Sequence, residues 1–166
     1  MVKEIVLDMF YTTKGDLNKI NTAIDAKFKK ERTRSITLFE KFIQSRIGMN
    51  NKSLKMANME ITAVEAIYLS RYPYLEELES IDLRQNFIGD VGLQAIAQSP
   101  QFANLKKLDV RNNQITRVGA LALAESDLMP LLESVDLRSN KLGKRWEEKL
   151  KEGDNFPHLT IVKAGQ

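Results

Sequence analysis

The chain has 166 residues, 43% of them apolar and 28% charged, with a net charge of +3 and no cysteine. That length suggests one domain or one short repeat array, and the composition is ordinary for a soluble globular protein. The absence of cysteine excludes a disulfide framework and a thiolate metal site, and it permits a reducing compartment without proving one.

The charge is uneven along the chain. Residues 1–50 carry 10 Lys and Arg against 6 Asp and Glu, whereas residues 51–166 carry 15 against 16. The basic character therefore belongs to the N-terminal segment, a weak pointer to an acidic partner there. Met1 to Tyr11 does not read as a signal peptide. Lys3, Glu4 and Asp8 interrupt its apolar residues, and no small-residue cleavage pattern follows. No stretch approaches the ~20 apolar residues of a membrane span. The expectation is a soluble protein, cytoplasmic or, if bacterial, exported without a cleaved signal.

Ile5 to Tyr11 fits either a strand or the start of a helix. Asp16 is placed to cap a helix carrying Leu17, Ile20, Ile24 and Phe28 at helical spacing. Ser35 is placed to cap a second, with Leu38, Phe39, Phe42 and Ile43 on one face. Between them, Lys27, Lys29, Lys30, Arg32 and Arg34 face a single anion, Glu31. This run reads as the solvated end of a helix, where cations suit the macrodipole. Its other reading is a contact with nucleic acid or an anionic membrane surface. Residues 1–50 are expected to form a helical N-terminal cap, with a separate functional module as the alternative. Asn51-Lys52-Ser53 fits a glycosylation sequon, which means little without a secretory signal.

A repeat then begins. Leu78, Ile81, Leu83 and Asn86 recur as Leu105, Leu108, Val110 and Asn113, and again as Leu132, Val135, Leu137 and Asn140, each time after 27 residues. One step further falls on Leu159, Val162 and Ala164; one step back falls on Leu54, Met56 and Met59. Ile88, Val91, Gly92, Ala95 and Ile96 align with Ile115, Val118, Gly119, Ala122 and Leu123. This makes about four units and a final strand. Leu108 and Val110 alternate with polar residues, as in a short strand with one buried side. Asn113 can turn the chain out of the strand and bond backbone groups, so Asn86, Asn113 and Asn140 should form a ladder. Val118 to Glu125, with Val118, Leu121 and Leu123, suits a helix packed behind the strand. No unit can bury its apolar face alone, so neighbours must stack.

The pattern L-x-x-L-x-L-x-x-N resembles the leucine-rich repeat, and the trailing I-x-x-x-G-x-x-x-[IL]-A resembles its ribonuclease-inhibitor-like subfamily. The resemblance covers about residues 51–166. It implies an α/β fold: a short solenoid with parallel strands on a concave face, helices on the convex face and an α-helical N-terminal cap. It also implies that residues between the inward Leu positions line the concave face. One such column is Lys55, Asp82, Asp109, Asp136 and Lys163; the next is Ala57, Arg84, Arg111, Arg138 and Gly165; a third is Ser53, Ser80, Lys107, Ser134 and Ile161. With neighbouring strands ~4.8 Å apart, three bare Asp would repel one another, and the Arg column should offset this. The columns are thus either a self-neutralising lattice or a charged groove for a partner. Phe87, Gln114 and Lys141 share the place after the ladder Asn, where Phe87 is either an exposed anchor or a core residue.

The fourth unit departs from the pattern. Arg145 and Trp146 replace Val118 and Gly119, and Lys149 and Lys151 replace Ala122 and Ala124. A helix over about Lys144 to Glu152 should be widely solvated, with Trp146 as a lid on the last apolar layer or as a binding anchor. Only Gly165 and Gln166 follow the last strand, Leu159 to Ala164, so its edge is expected to be uncovered and able to pair with another copy.

No catalytic residue, metal site or cofactor is expected. The sole histidine, His158, sits at a turn; no nucleophile elbow, Gly-rich phosphate loop or metal-ligand spacing is present. The expectation is a non-enzymatic protein-interaction module, an adaptor, regulator or effector. It would bind a partner protein through Arg84, Arg111, Arg138, Asp82, Asp109, Asp136, Lys107 and Phe87. The alternative is a nucleic-acid or anionic-surface binder working through the basic N-terminal segment. A monomer or a weakly self-associating chain is expected, in the cytoplasm or, for a bacterial effector, in a host cell.

Overall fold

A computed structural model of the chain describes residues 34–165. The opening stretch, the helix expected after Asp16, the basic run from Lys27 and the side chain of Ser35 lie outside what it describes. The chain divides into two compact units, Met1–Phe42 and Ile43–Gln166. Helix α1, Arg34–Met49, runs from the first into the second. The four residues expected on its single apolar face differ in burial: Ile43 is fully buried, whereas Leu38 is exposed.

The second unit alternates strand and helix. The order is β1 (Ser53–Lys55), α2 (Ala63–Arg71), β2 (Ser80–Asp82), α3 (Gly89–Ala97), a short 3-10 helix (Pro100–Phe102), β3 (Lys107–Asp109), α4 (Arg117–Ala124), β4 (Ser134–Asp136), α5 (Arg145–Lys151) and β5 (Ile161–Lys163). The strands make one parallel sheet in sequence order. Every residue pairs with the residue 27 positions on, as Ser53 with Ser80 and Leu108 with Val135. The spacing read from the sequence is therefore the physical register of the sheet. Each strand turns one central residue inward: Leu54, Ile81, Leu108, Val135 and Val162 are all buried. Strand side chains alternate, so the flanking residues project from the opposite face.

Two sets of bonds tie each unit to the next besides the strand ladder. The expected Asn ladder forms, and it points backwards. Asn86 Oδ1 accepts the N–H groups of Met59 (2.9 Å) and Ile61 (3.0 Å), and Asn140 Oδ1 accepts those of Asn113 (2.8 Å) and Ile115 (3.1 Å). Asn113 Nδ2 donates to the carbonyls of Leu83 (2.8 Å) and Arg111 (3.0 Å). A second ladder of buried serines runs elsewhere: Ser99 donates its hydroxyl to Ser70 O, and Ser126 donates to Ala97 O. In the fourth unit Asn155 takes over, donating to Ala124 O at 2.9 Å.

The helices start by different means. Thr62 and Glu65 form a capping box at α2, with Thr62 N–H on Glu65 Oε2 at 2.9 Å. At α4 the position of Glu65 is occupied by Gly119, and the carboxylate comes from the preceding helix. Asp90 accepts Thr116 N–H (2.7 Å), the Thr116 hydroxyl (2.7 Å) and Gly119 N–H (3.0 Å). A Cβ on Gly119 would stand 2.7 Å from Asp90 Oδ1, so only glycine admits that approach.

The expected inward face of α4 is corrected. Val118 is 67% exposed and Leu121 is also exposed, while Gly119, Ala120 and Leu123 are buried. Residues three and four apart share a helix stripe. The close helix-to-helix approach at Gly119 fixes 119, 120 and 123 as the inward stripe and turns 118 and 121 outward.

β5 is the outermost strand of the sheet, and the chain just past it is held by α5. Glu147 Oε1 of α5 accepts the N–H groups of Ala164 (2.9 Å) and Gly165 (3.1 Å). A Cβ on Gly165 would come 2.9 Å from Lys144 Cγ, so the Lys144 stem covers that residue. Trp146 is 8% exposed, the lid position rather than a free anchor, with Lys149 Nζ 4.6 Å from its ring centre. Among the described residues no helix is long and apolar enough to cross a membrane.

Candidate functional site: the open face of the sheet

The strand residues that flank the buried centres, Lys55, Asp82, Lys107, Asp109, Asp136 and Lys163 among them, stand on the outward side of the sheet, whereas Gly165 of the expected columns is buried. Each Asp at a strand end first organises its own chain. Asp82, Asp109 and Asp136 accept, through Oδ1, the backbone N–H two residues on, at 3.2 Å in all three. This side-chain turn bends the chain out of the strand and returns the Arg side chain towards the Asp.

The pairs differ in tightness. Arg111 grips Asp109 with Nε on Oδ1 (2.9 Å) and Nη2 on Oδ2 (2.6 Å). Arg138 grips Asp136 in the same way, at 3.0 Å and 2.7 Å. Arg84 is looser, with Nε 3.4 Å from Asp82 Oδ2, and its side chain is 46% exposed against 29% for Arg111. Arg111 Nε also lies 3.5 Å from Asp136 Oδ2, which links β3 to β4. Burial opposes ionisation of Asp136, but the hydrogen bonds from Arg138 and the attraction of both guanidinium groups outweigh it, so its carboxyl lies below the usual range. The hydrogen bonds to Asp109 and Asp136 push Arg111 and Arg138 up. Arg111 and Arg138 thus belong to a self-neutralising lattice whose partly exposed pairs add little net stability.

The three lysines on this face stand outside the lattice. Lys55, Lys107 and Lys163 are exposed. No ion pair among the described residues engages them. Phe87 is 53% exposed, which removes its core reading. Its backbone is held, with N–H on Ile61 O at 2.8 Å, so the ring projects from a fixed position at the strand exit. His158 is exposed at its turn.

One charged column escaped the sequence reading. Positions 52, 79, 106 and 133 alternate Lys, Glu, Lys and Glu. Glu79 sits between Lys52 (2.9 Å) and Lys106 (3.0 Å), along a cleft of about 340 Å³ that Asn104 and Leu131 also line. Hydrogen bonds from Lys52 and then Lys106 hold the Glu79 carboxyl below its ordinary range. The signal was available: four alternating charges at the repeat spacing, one residue before each strand.

Comparison with known families matches residues 77–97 and 103–124 to the leucine-rich repeat. Those two segments are the strand and helix regions of the second and third units. Comparison with curated proteins finds none that matches the chain.

Proposed function

We propose that this chain, a leucine-rich repeat protein, holds a partner protein on the open face of its sheet. Repeat arrays of this kind generally serve as protein-interaction modules, because stacking identical units builds a long, regular surface. The observation that carries the reading here is the clamped Arg pair at the centre of the face. Arg111 and Arg138 are held by bidentate bonds before any partner arrives. Side-chain ordering that normally opposes association is already complete, and their remaining N–H groups stay available to a partner. Phe87 adds an exposed aromatic ring whose backbone is fixed, the kind of residue that anchors interfaces.

The role is non-catalytic: an adaptor, regulator or effector acting in the cytoplasm, its own or that of a host, as a monomer or weakly associating chain. The 27-residue unit, with a full α-helix behind β1, β2 and β3, supports assignment to the ribonuclease-inhibitor-like subfamily. Asp82, Asp109 and Asp136 act as clamps for the arginines, and Arg84, Lys107 and Phe87 meet the partner most directly.

The lattice decides how to test this. Reversing Arg111 or Arg138 to Glu would set two carboxylates side by side and risk unfolding. A face variant with Arg84→Gln, Lys107→Glu and Phe87→Ala leaves both clamped pairs intact. A control, Val118→Ser, alters the helix side. Affinity capture followed by chemical crosslinking should recover the same partner with wild type and control, and lose it with the face variant. Equal recovery by all three would move the interface off the sheet.

A further inference from the structure

We infer that the outer edge of β5 is a pairing edge for the β5 of a second copy of this chain, and that Glu147 keeps it latched. The edge is separate from the open face, and its use does not depend on what that face holds. At the entry of each strand one carbonyl accepts two N–H groups from the next unit. Lys106 O takes those of Glu133 and Ser134, and Glu133 O takes those of Thr160 and Ile161. Thr160 O is next in this series and accepts nothing among the described residues. At the exit, the N–H groups of Val110 and Leu137 donate to the next strand, at Asp136 O (3.0 Å) and Lys163 O (2.6 Å). Ala164 is next in that series. With no sixth strand among the described residues, its N–H donates to Glu147 Oε1 at 2.9 Å. Glu147 thus stands in for the carbonyl of a sixth strand. Alternate residues of a parallel strand bond to alternate sides. Ile161 and Lys163 bond to β4, so Val162 turns its N–H and C=O to the free edge. The edge therefore offers Thr160 O and both Val162 groups, with the Ala164 N–H withheld.

The β5 strand of a second copy complements this edge about a two-fold axis through Val162. The two Val162 residues exchange both N–H···O bonds as an antiparallel pair, and each Thr160 lies opposite the other copy's Ala164. On the open side Ile161, 50% exposed, lies opposite the other copy's Lys163. No like charges meet there, and the apolar side chain covers the lysine stem. Head-to-tail stacking on the second copy's β1 is less favourable. Continuing the sheet in its 27-residue register would set Lys163 directly opposite that copy's Lys55, a like-charge pair. Glu147 interferes with the two-fold pairing at both ends. While its carboxylate holds the Ala164 N–H, that donor cannot reach the other copy's Thr160 O, and two acceptor oxygens are brought together. Only the central Val162 pair is left to hold the copies.

The test is sedimentation equilibrium of the full chain, read together with amide exchange at Val162. Wild type should stay monomeric across the concentration range and leave the Val162 amide unprotected. Glu147→Ala frees the Ala164 N–H. It should self-associate at least about tenfold more tightly, as expected for two regained hydrogen bonds, and protect Val162 as the protein concentration rises. Adding Ile161→Lys sets lysines opposite one another on both sides of the axis and should return the variant to monomer. Glu147→Asp keeps a charge in the first turn of α5 but is one methylene shorter and falls short of Ala164. It replaces the Ala variant, with the same expectation, if that one does not fold. A Glu147 variant that stays monomeric, self-association that Ile161→Lys leaves unchanged, or a wild type that already pairs with Val162 protected would overturn the inference.

Discussion

Asn113 shows how much one side chain carries in a stacked array. It is fully buried, accepts the Ile88 N–H at 3.3 Å and donates to two carbonyls in two different units. Asn113→Ala would leave these backbone groups without partners where water has little access. We expect a loss of about 2–4 kcal/mol, read from denaturant unfolding; a loss under about 0.5 kcal/mol would mean that water replaces the amide. This role was legible because Asn recurs at 27-residue intervals, as Asn86, Asn113 and Asn140. Asp90 was not legible, because no other unit has Asp there: its counterparts are Ala63 and Arg117. Its bonds to Thr116 and Gly119 start α4 from the neighbouring helix. Asp90→Ala should cost about 1–2 kcal/mol, as for loss of a helix cap. Asp90→Asn, which retains an acceptor, should cost less. Equal losses in thermal unfolding would show that the charge, and not the bond, supports the helix. The serine ladder was half visible: Ser99 and Ser126 recur at 27, but Tyr72 and Gly153 break the column at either end.

Strands were the most legible elements, since their register is the repeat interval itself. Helix faces were less so, because Val118 and Leu121 read as core in composition and lie outward once Asp90 fixes the helix rotation. The closing element, α5, read as solvated and is so: only Trp146 and Leu150 are buried. What sequence reasoning missed is its carboxylate. The N–H groups of Ala164 and then Gly165 hold Glu147 below its ordinary value of 4.5. A carboxyl depressed by folding stabilises the native state above its unfolded pKa, and the effect is lost as pH falls through the folded one. Amide exchange at Ala164 and Gly165, corrected for its intrinsic pH dependence, should therefore be slow near neutrality and accelerate on acidification below 4.5. Glu147→Gln should remove that acceleration. If the variant and the wild type respond alike, the end of β5 is protected by something other than this cap.

At the scale of the molecule, the five strand layers are bound mainly to their immediate neighbours, so position along the array should govern the consequence of a core defect. Leu108 lies between Ile81 and Val135 in the sheet and is buried by layers on both sides. Leu159 leads into β5, the outermost strand, and retains 9% exposure. The same substitution at both sites isolates position from chemistry. Leu108→Ala should cost about 2–5 kcal/mol, because a cavity closed from both sides cannot collapse, whereas Leu159→Ala should fall at or below the lower end of that range. Hydrogen exchange should separate them further. The Leu159 variant should lose protection in the last unit alone, leaving β2 and β3 as in wild type. The Leu108 variant should lose it across β2, β3 and β4 together. Equal losses of stability, with protection falling everywhere in both variants, would make the array a single cooperative block. The open face of the sheet would then stand or fall as one surface, and the end cap supplied by Glu147 would be as important to Arg111 as its own Asp109.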